Sequence, residues 1–518
     1  MRPQAPLEAR VAAFPSFVLM ICSALTALLW TRPAVWRTAL AIAGAAASGL
    51  ALLVVTRVLP LTSQLSVWRP VSLFGDGLLL TLDDPLWPVA FIISALPMVC
   101  MLSQVGGKPM EGLEITATLA MAGLGLAALQ AGNLLTLMVT WSLMGVWRLA
   151  WIILTEDPEH GPAALARVGV QEAAAPLLLM LTGFLDQSAG GAASLSAPMR
   201  SSAGAVAFLL AVLFKALPAA GEGRGPGRAL IEHVCFRLLP ASVALASLGR
   251  LQLYGLPLAA NAWGGLLGML VFLSGALGWL GAAGRRDRGA RLIWSLVGIG
   301  MFLACQVAGE AALAIAALLL LVGGLSAAQR IQQPWQRAWP VASFVAAAGA
   351  PGLPGAGVIM VLRERGEAST WAIALTAMAV ISAALWQSGN EPPTASPLPA
   401  AARVRGTDLA CLALLLSGLV ASIHQGWMGD SSSLMLSAGI LLLAVAGLWL
   451  VPRQPWLTSE RLASLGPLAF VRRGERVVGA VLAAGQESVG AVASLFEGRA
   501  GMLWMFLLVL AAWLALRG

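Results

Sequence analysis

Lysine is almost missing from this chain: of 32 basic residues, only Lys108 and Lys215 are lysines. Charge of either sign is scarce too, at 11% of 518 residues against 59% hydrophobic ones. With a mean hydropathy of +0.84, too little polar surface remains to clothe a soluble globule, so the solvent for most of the chain must be lipid. Segments of about ten residues alternating apolar with polar, which would mark a membrane β-barrel, do not occur. The five cysteines (Cys22, Cys100, Cys235, Cys305 and Cys411) have no metal or redox spacing and read as small hydrophobes. His160, His233 and His424 have no neighbouring set of ligands, so no metal is expected. Without a Rossmann fingerprint or clustered cysteines, no flavin, nicotinamide or iron–sulfur cofactor is expected either. The GEGRGPG stretch at 221–227 lacks the Lys-Ser/Thr of a phosphate loop and reads as an irregular turn.

What is present is a succession of apolar runs, each about 20 residues long and therefore able to span a bilayer as a helix. They fall at 13–30, 37–58, 84–104, 114–131, 133–154, 165–185, 203–219, 238–256, 259–281, 290–308, 311–328, 338–361, 370–387, 408–425, 433–452 and 500–516. This predicts an all-α polytopic membrane protein of about sixteen transmembrane helices. Arg2 and Arg10 precede an apolar run like the head of a signal peptide, but the run is long and another span follows at once. With basic residues at span ends counted in the adjoining connector, connectors after odd-numbered spans carry 21 Lys and Arg, whereas the other segments carry 8. The surplus behind the formal charge of +8 is thus a matter of topology rather than of nucleic-acid binding. The positive-inside rule places odd connectors in the cytoplasm and both termini outside, as expected for a bacterial-type inner membrane. Residues 389–406 (GNEPPTASPLPAAARVRG) read as a flexible linker. The 453–499 connector mixes apolar residues with Arg461, Arg472, Arg473, Glu475, Arg476 and Glu487, which fits an amphipathic helix on the cytoplasmic surface; a loosely ordered loop is the other reading.

Several short stretches, taken in order, resemble one family. LAALQAGNLLTLMVTWSLM (126–144) resembles the fourth-to-fifth span junction of the antiporter-like subunits shared by complex I, Mrp antiporters and membrane-bound hydrogenases. AFLLAVLFKALP (207–218) looks like that family's seventh span, where a lysine precedes a proline-bearing break; the match falls on Lys215 and Pro218. PASVALASLGRLQLYG (240–255) resembles the eighth span, DRGARLIWSLVGIG (287–300) the start of the tenth, and ALLLLVGG (317–324) the end of the eleventh. GLPGAGVIMVL (352–362) resembles the broken twelfth, with Pro351 and Pro354 at the break, and GDGLLLTLDDPLWPVAFIISAL (75–96) the approach to the third.

The resemblance covers roughly residues 70 to 365 and implies two inverted five-helix repeats with broken helices. The implied division is 1–112 (three spans), 113–257 and 258–388 (the repeats), 389–407 (linker), 408–452 (two spans), 453–499 (lateral helix) and 500–518 (last span). The span count and the lateral helix resemble the distal type of subunit.

An ionisable group at the centre of a span costs at least about 2.5–3.5 kcal/mol on insertion scales, so each is a candidate for function. Lys215 stands out, because a buried lysine can be brought to titrate near neutrality whereas arginine cannot release its proton. The resemblance implies a fifth-span glutamate as its partner, but Ser142 follows Trp141 there. The eighth-span titratable position matches Ala246 or, with a different gap, Arg250; the eleventh-span lysine matches Ala316, and the charged position of the twelfth falls near Val361. Arg148 and Glu172 offer replacements: they would pair with each other, or Glu172 would oppose Lys215. Alternatively, Arg148 snorkels to the interface beside Trp147 and Trp151.

The resemblance therefore implies a proton-translocating type of subunit in a complex I-like respiratory or hydrogenase complex, with other membrane subunits as partners and an eroded set of titratable residues. It would be at most a non-catalytic part of an oxidoreductase such as an NADH-quinone oxidoreductase. A subunit of a bicarbonate-accumulating complex and a non-conducting scaffold are the alternatives. Cysteine labelling is expected to place residues 470–476 on the cytoplasmic side and both termini on the other; the reverse would overturn the topology.

Overall fold

The computed structural model describes residues 13–29, 31–64, 77–104, 110–155, 161–217, 228–280, 285–328, 338–389 and 400–427, with scattered positions between 435 and 445. The chain opens with α1 (Phe14–Leu28) and α2 (Ala34–Val55), then β1 (Leu61–Gln64) and β2 (Leu79–Leu82), then α3 (Trp87–Leu102). The first group of central helices is α4 (Gly112–Leu129), α5 (Leu134–Thr155), α6 (Gly161–Ser188), α7 (Ser202–Ala216), α8 (Arg228–His233) and α9 (Leu239–Tyr254). The second is α10 (Leu258–Leu280), α11 (Arg285–Gln306), α12 (Gly309–Ala328), α13 (Ala338–Ala347), α14 (Pro354–Arg365) and α15 (Ala368–Gly389), followed by α16 (Ala400–His424). Among the described residues, eight helical segments are long and apolar enough to cross a membrane and five more are shorter apolar helices. The first fourteen spans read from the sequence all coincide with helices. The 433–452 span is described only at scattered positions; the 453–499 helix, the 500–516 span and Pro218 lie outside the described residues.

Helix ends follow from local chemistry. The Asn133 carboxamide oxygen accepts the Thr136 N–H at 2.9 Å and starts α5, and the Ser201 hydroxyl accepts the Gly204 N–H at 3.0 Å to start α7. Glu111 and Glu114 form a capping box at the head of α4. Between α13 and α14 the chain turns through Gly349 (φ 83°) and Gly352 (φ 77°), with Pro351 between them. Pro354 then opens α14, where its missing N–H costs nothing. This is the broken helix expected at 338–361.

Two local expectations are corrected. The architecture includes an antiparallel β1–β2 hairpin, with Leu61 opposite Leu82 and Gln64 opposite Leu79; four-residue strands are too short to announce themselves by alternation. The linker expected over 389–406 is already helical from Ala400, since its Ala- and Arg-rich second half consists of good helix formers.

The hairpin closes one end of the bundle. The Thr81 N–H donates to the Gln130 carbonyl at 2.5 Å, Gly132 N–H to Leu79 at 2.8 Å, and Leu195 N–H to Gly132 at 3.1 Å. At the same end His424 Nε2 lies 2.9 Å from an Asp84 carboxylate oxygen, with its ring 4.2 Å from that of Trp87, so α16 is tied to the start of α3. The connectors meeting here are those after even-numbered spans.

Residues of α4, α9 and α12 are almost wholly buried and form the axis of the bundle. Leu143 and Val146 on α5, Leu177 and Phe184 on α6 and Trp263 and Leu266 on α10 face outward, as lipid-facing residues do. Lipid supplies no hydrophobic drive between helices, so close approach rests on small residues. At the α10–α11 seam, a Cβ on Gly298 would strike the backbone of Gly268 and Phe272, and one on Gly275 would strike the Ser295 backbone. Gly298→Leu is accordingly expected to destabilise the protein by about 3 kcal/mol through overpacking against backbone, read as loss of thermal stability in detergent.

Candidate functional site

Three ionisable side chains meet inside the bundle, one from each of α5, α6 and α7. Lys215 Nζ lies 2.5 Å from Glu172 Oε2, and Arg148 Nη1 lies 2.7 Å from Glu172 Oε1. Each oxygen of one carboxylate therefore serves a different cation. All three residues are at most 5% exposed, so water contributes little to holding their charges. Lys215 Nζ also donates to the Trp141 carbonyl at 3.1 Å.

Helical spacing assembles this arrangement. Trp141, Gly145 and Arg148 are separated by four and three residues and so share one face of α5. Gly145 leaves that face open: a Cβ there would lie 3.0 Å from both Cβ and Oε2 of Glu172. Pro176, inside α6, cannot donate to the carbonyl of Glu172 four residues earlier, which relaxes the helix next to its charged residue. Likewise Pro218 has no N–H for the Phe214 carbonyl. The Gln171 side chain takes up that role, donating to Phe214 at 2.8 Å and to the Leu217 carbonyl. Gln171 and Glu172 thus hold the end of α7 together, one by its backbone and the other by its lysine.

Ser142 lies outside the cluster, its hydroxyl donating to the Met138 carbonyl at 2.8 Å. Arg148 is buried against Glu172 and does not snorkel, since a carboxylate is within its reach inside the bundle. Both pairings considered for Glu172 are made at once.

Arg250 belongs to a different assembly. It bonds Asp83 Oδ2 at 2.8 Å, the Ala131 carbonyl at 2.6 Å and the Ser196 hydroxyl at 3.1 Å. These partners are the hairpin and the loops at the closed end, which Arg250 binds to α9. Lys215 is thirteen residues along α7 from its start beside those loops, or ~20 Å at 1.5 Å per residue. Asp186 organises the same end: its carboxylate accepts the N–H groups of Arg200 at 2.7 Å, Ser201 at 3.3 Å and Ala193 at 3.4 Å.

The other expected positions are apolar and packed. Ala246 and Ala316 are fully buried, and the Ser242 hydroxyl donates to the Ala316 carbonyl at 2.9 Å. Val361 lies in α14 and is partly buried. Among the described residues, none of the helices α10 to α14 carries an ionisable group in its middle. No group of three or more metal-ligating residues occurs among the described residues. Gln171, Gly145 and the two aspartates Asp83 and Asp186 were not singled out by sequence. The adjacent polar pair Gln171-Glu172 in an apolar helix was a signal for the first; a glycine that merely makes room, and loop aspartates, have no comparable mark.

No protein-family model matches the chain, and no curated protein sequence does. Solved structures do. A chain in the structure of the Mrp complex from Dietzia sp. DQ12-45-1b superposes with a TM-score of 0.66 at 18% identity, over 98% of this chain and 62% of that one. A chain of the membrane-bound sulfane sulfur reductase, an archaeal respiratory membrane complex, gives 0.66 at 15% identity over 96% and 99%. A chain of respiratory complex I from Thermus thermophilus with bound aureothin gives 0.60 at 18% over 78% and 97%. The chain thus spans under two thirds of the length of the Mrp chain and nearly the full length of the other two. Through these likenesses it is shown to have the fold of the antiporter-like membrane subunits found in such complexes.

Proposed function

We propose that this chain is a proton-translocating type of antiporter-like subunit in a multisubunit membrane complex of the complex I-like respiratory or hydrogenase kind. Lys215 is its titrating group and Glu172 the counter-charge. The observation that carries this reading is the buried carboxylate shared by Lys215 and Arg148, because ionisable groups held inside a membrane bundle mark ion and proton paths. A lysine suits the task as it can release and regain a proton on a flexible stem, which arginine cannot. The chain itself supplies no redox chemistry in this reading; its partners are neighbouring membrane subunits. All three charged residues of the site belong to the first of the two repeats in this reading, 113–257, and none to the second, 258–388.

A non-conducting scaffold is the second reading, favoured by the apolar middles of α10 to α14. Arg250 is assigned a structural role in either case.

Lys215→Ala is expected to abolish the proton gradient made by the purified complex in proteoliposomes, and Lys215→Arg nearly so; full pumping by Lys215→Ala refutes the role of this lysine. Assembly of Lys215→Ala is expected to survive, since Glu172 keeps its bond to Arg148. Arg250→Ala, by contrast, leaves Asp83 and the Ala131 carbonyl without their partner. It is expected to cost about 3–5 kcal/mol, the scale for breaking a buried ion pair on one side, measured as lower thermal stability and yield of the complex.

A further inference from the structure

We infer that Gln171 is a positioning residue for the proposed transport: its side-chain amide fixes the backbone on both sides of Lys215 and so sets where the lysine's Nζ can reach. The inference rests on the translocating reading given above.

A helix leaves its last carbonyls without helical partners, and inside a bilayer no water serves them. Helix α7 ends at Ala216, and Leu217 is extended (ψ 119°), as residues before proline usually are. Leu217 N–H still donates to the Leu213 carbonyl at 2.9 Å. The next carbonyl in the ladder is that of Phe214, whose helical donor would be residue 218, a proline without an N–H. Gln171 Nε2 donates to it at 2.8 Å and also to the Leu217 carbonyl. A carboxamide nitrogen carries two N–H groups, and these two carbonyls take both. Because both partners are acceptors, the amide must turn its nitrogen toward α7; its oxygen there would face two other oxygens.

The two carbonyls bracket the lysine, Phe214 directly before Lys215 and Leu217 two residues after it. The next residue of α6, Glu172, bonds Nζ itself. Adjacent residues of one helix thus hold the two ends of a single side chain, Gln171 at the backbone and Glu172 at the head. A flexible four-carbon stem joins those ends, so the head has a fixed approach to Glu172 only if the backbone is fixed. Gln171 is 8% exposed, which leaves water little chance to compete for its bonds.

The two holds differ in how they depend on the proton. The bond from Lys215 to Glu172 is strengthened by charge only while the lysine is an ammonium. When Nζ gives a proton to water and keeps the lone pair, that bond weakens. The bonds from Gln171 join neutral groups and are the same in both states. Gln171 therefore keeps Lys215 in register with Glu172 while the lysine is neutral, so that the proton is regained at the same place.

Two readouts on the assembled complex test this: proton transport per assembled complex in proteoliposomes, and the side-chain nitrogen resonance of Lys215 in lysine-labelled complex by solid-state NMR. The chain has only one other lysine, Lys108, and the Lys215 signal is identified by its loss in Lys215→Ala. Gln171→Met keeps the length of the side chain and removes both donors. It should slow transport per complex about tenfold or more, the scale for misplacing a reacting group by about 1 Å, and displace or broaden the Lys215 resonance. A wild-type rate per complex, even with lower yield or thermal stability, would overturn the inference, since Gln171 would then only support the fold. Slower transport with an unmoved Lys215 resonance would overturn it too. Should Gln171→Met fail to assemble, Gln171→Asn, which keeps the amide but is one methylene short, is read by the same two criteria. Pumping that persists in Lys215→Ala would instead overturn the underlying reading, and the resonance then decides separately whether Gln171 positions the lysine.

Discussion

Lipid offers no hydrogen-bond partner, and this fold is organised by that constraint. Every polar group inside the bundle must be served from within, so polar residues gather where several chain segments can reach one another. Two such places stand out. At the closed end, the backbone of the hairpin and of the loops after α4 and α6 is tied down by Arg250 and Asp186. In the interior of α5, α6 and α7, two cations share one carboxylate.

The two clusters use charge differently. Arg250 spreads its guanidinium over a carboxylate, a carbonyl and a hydroxyl from three separate segments. A planar fork that never loses its proton is suited to such a task. Glu172 instead faces two cations of unlike chemistry, of which one is able to exchange a proton. Near the second cluster the sequence places prolines: Pro176, inside α6, lies four residues after Glu172, and Pro218 three after Lys215. Missing backbone donors free carbonyls next to the charged residues, and Gln171 shows how one of them is satisfied by a side chain.

Most of the fold was legible because the membrane writes a strong signal: runs of about 20 apolar residues cannot easily be anything but spans, and fourteen of them coincide with the described helices. The hairpin was not legible, for β1 and β2 are four residues each and their pairing joins segments separated by a connector. The break between α13 and α14 could be read from Pro351 and Pro354 because proline states its constraint locally.

The site was legible only in part, for a physical reason. Ionisable residues in apolar helices can be found one at a time by their cost, and so Lys215, Glu172 and Arg148 could be named. Which of them touch depends on the rotation of three helices about their axes, and no single segment records this. Trp141, Gly145 and Arg148 share a face, yet that this face rather than that of Ser142 meets Glu172 is a result of packing. Gly145 shows the point: its contribution is the absence of a Cβ within 3.0 Å of Glu172. Such a role is invisible until the neighbour is in place. The counter-charge at Glu172 thus comes from α6, and Ser142 on α5 need not supply one.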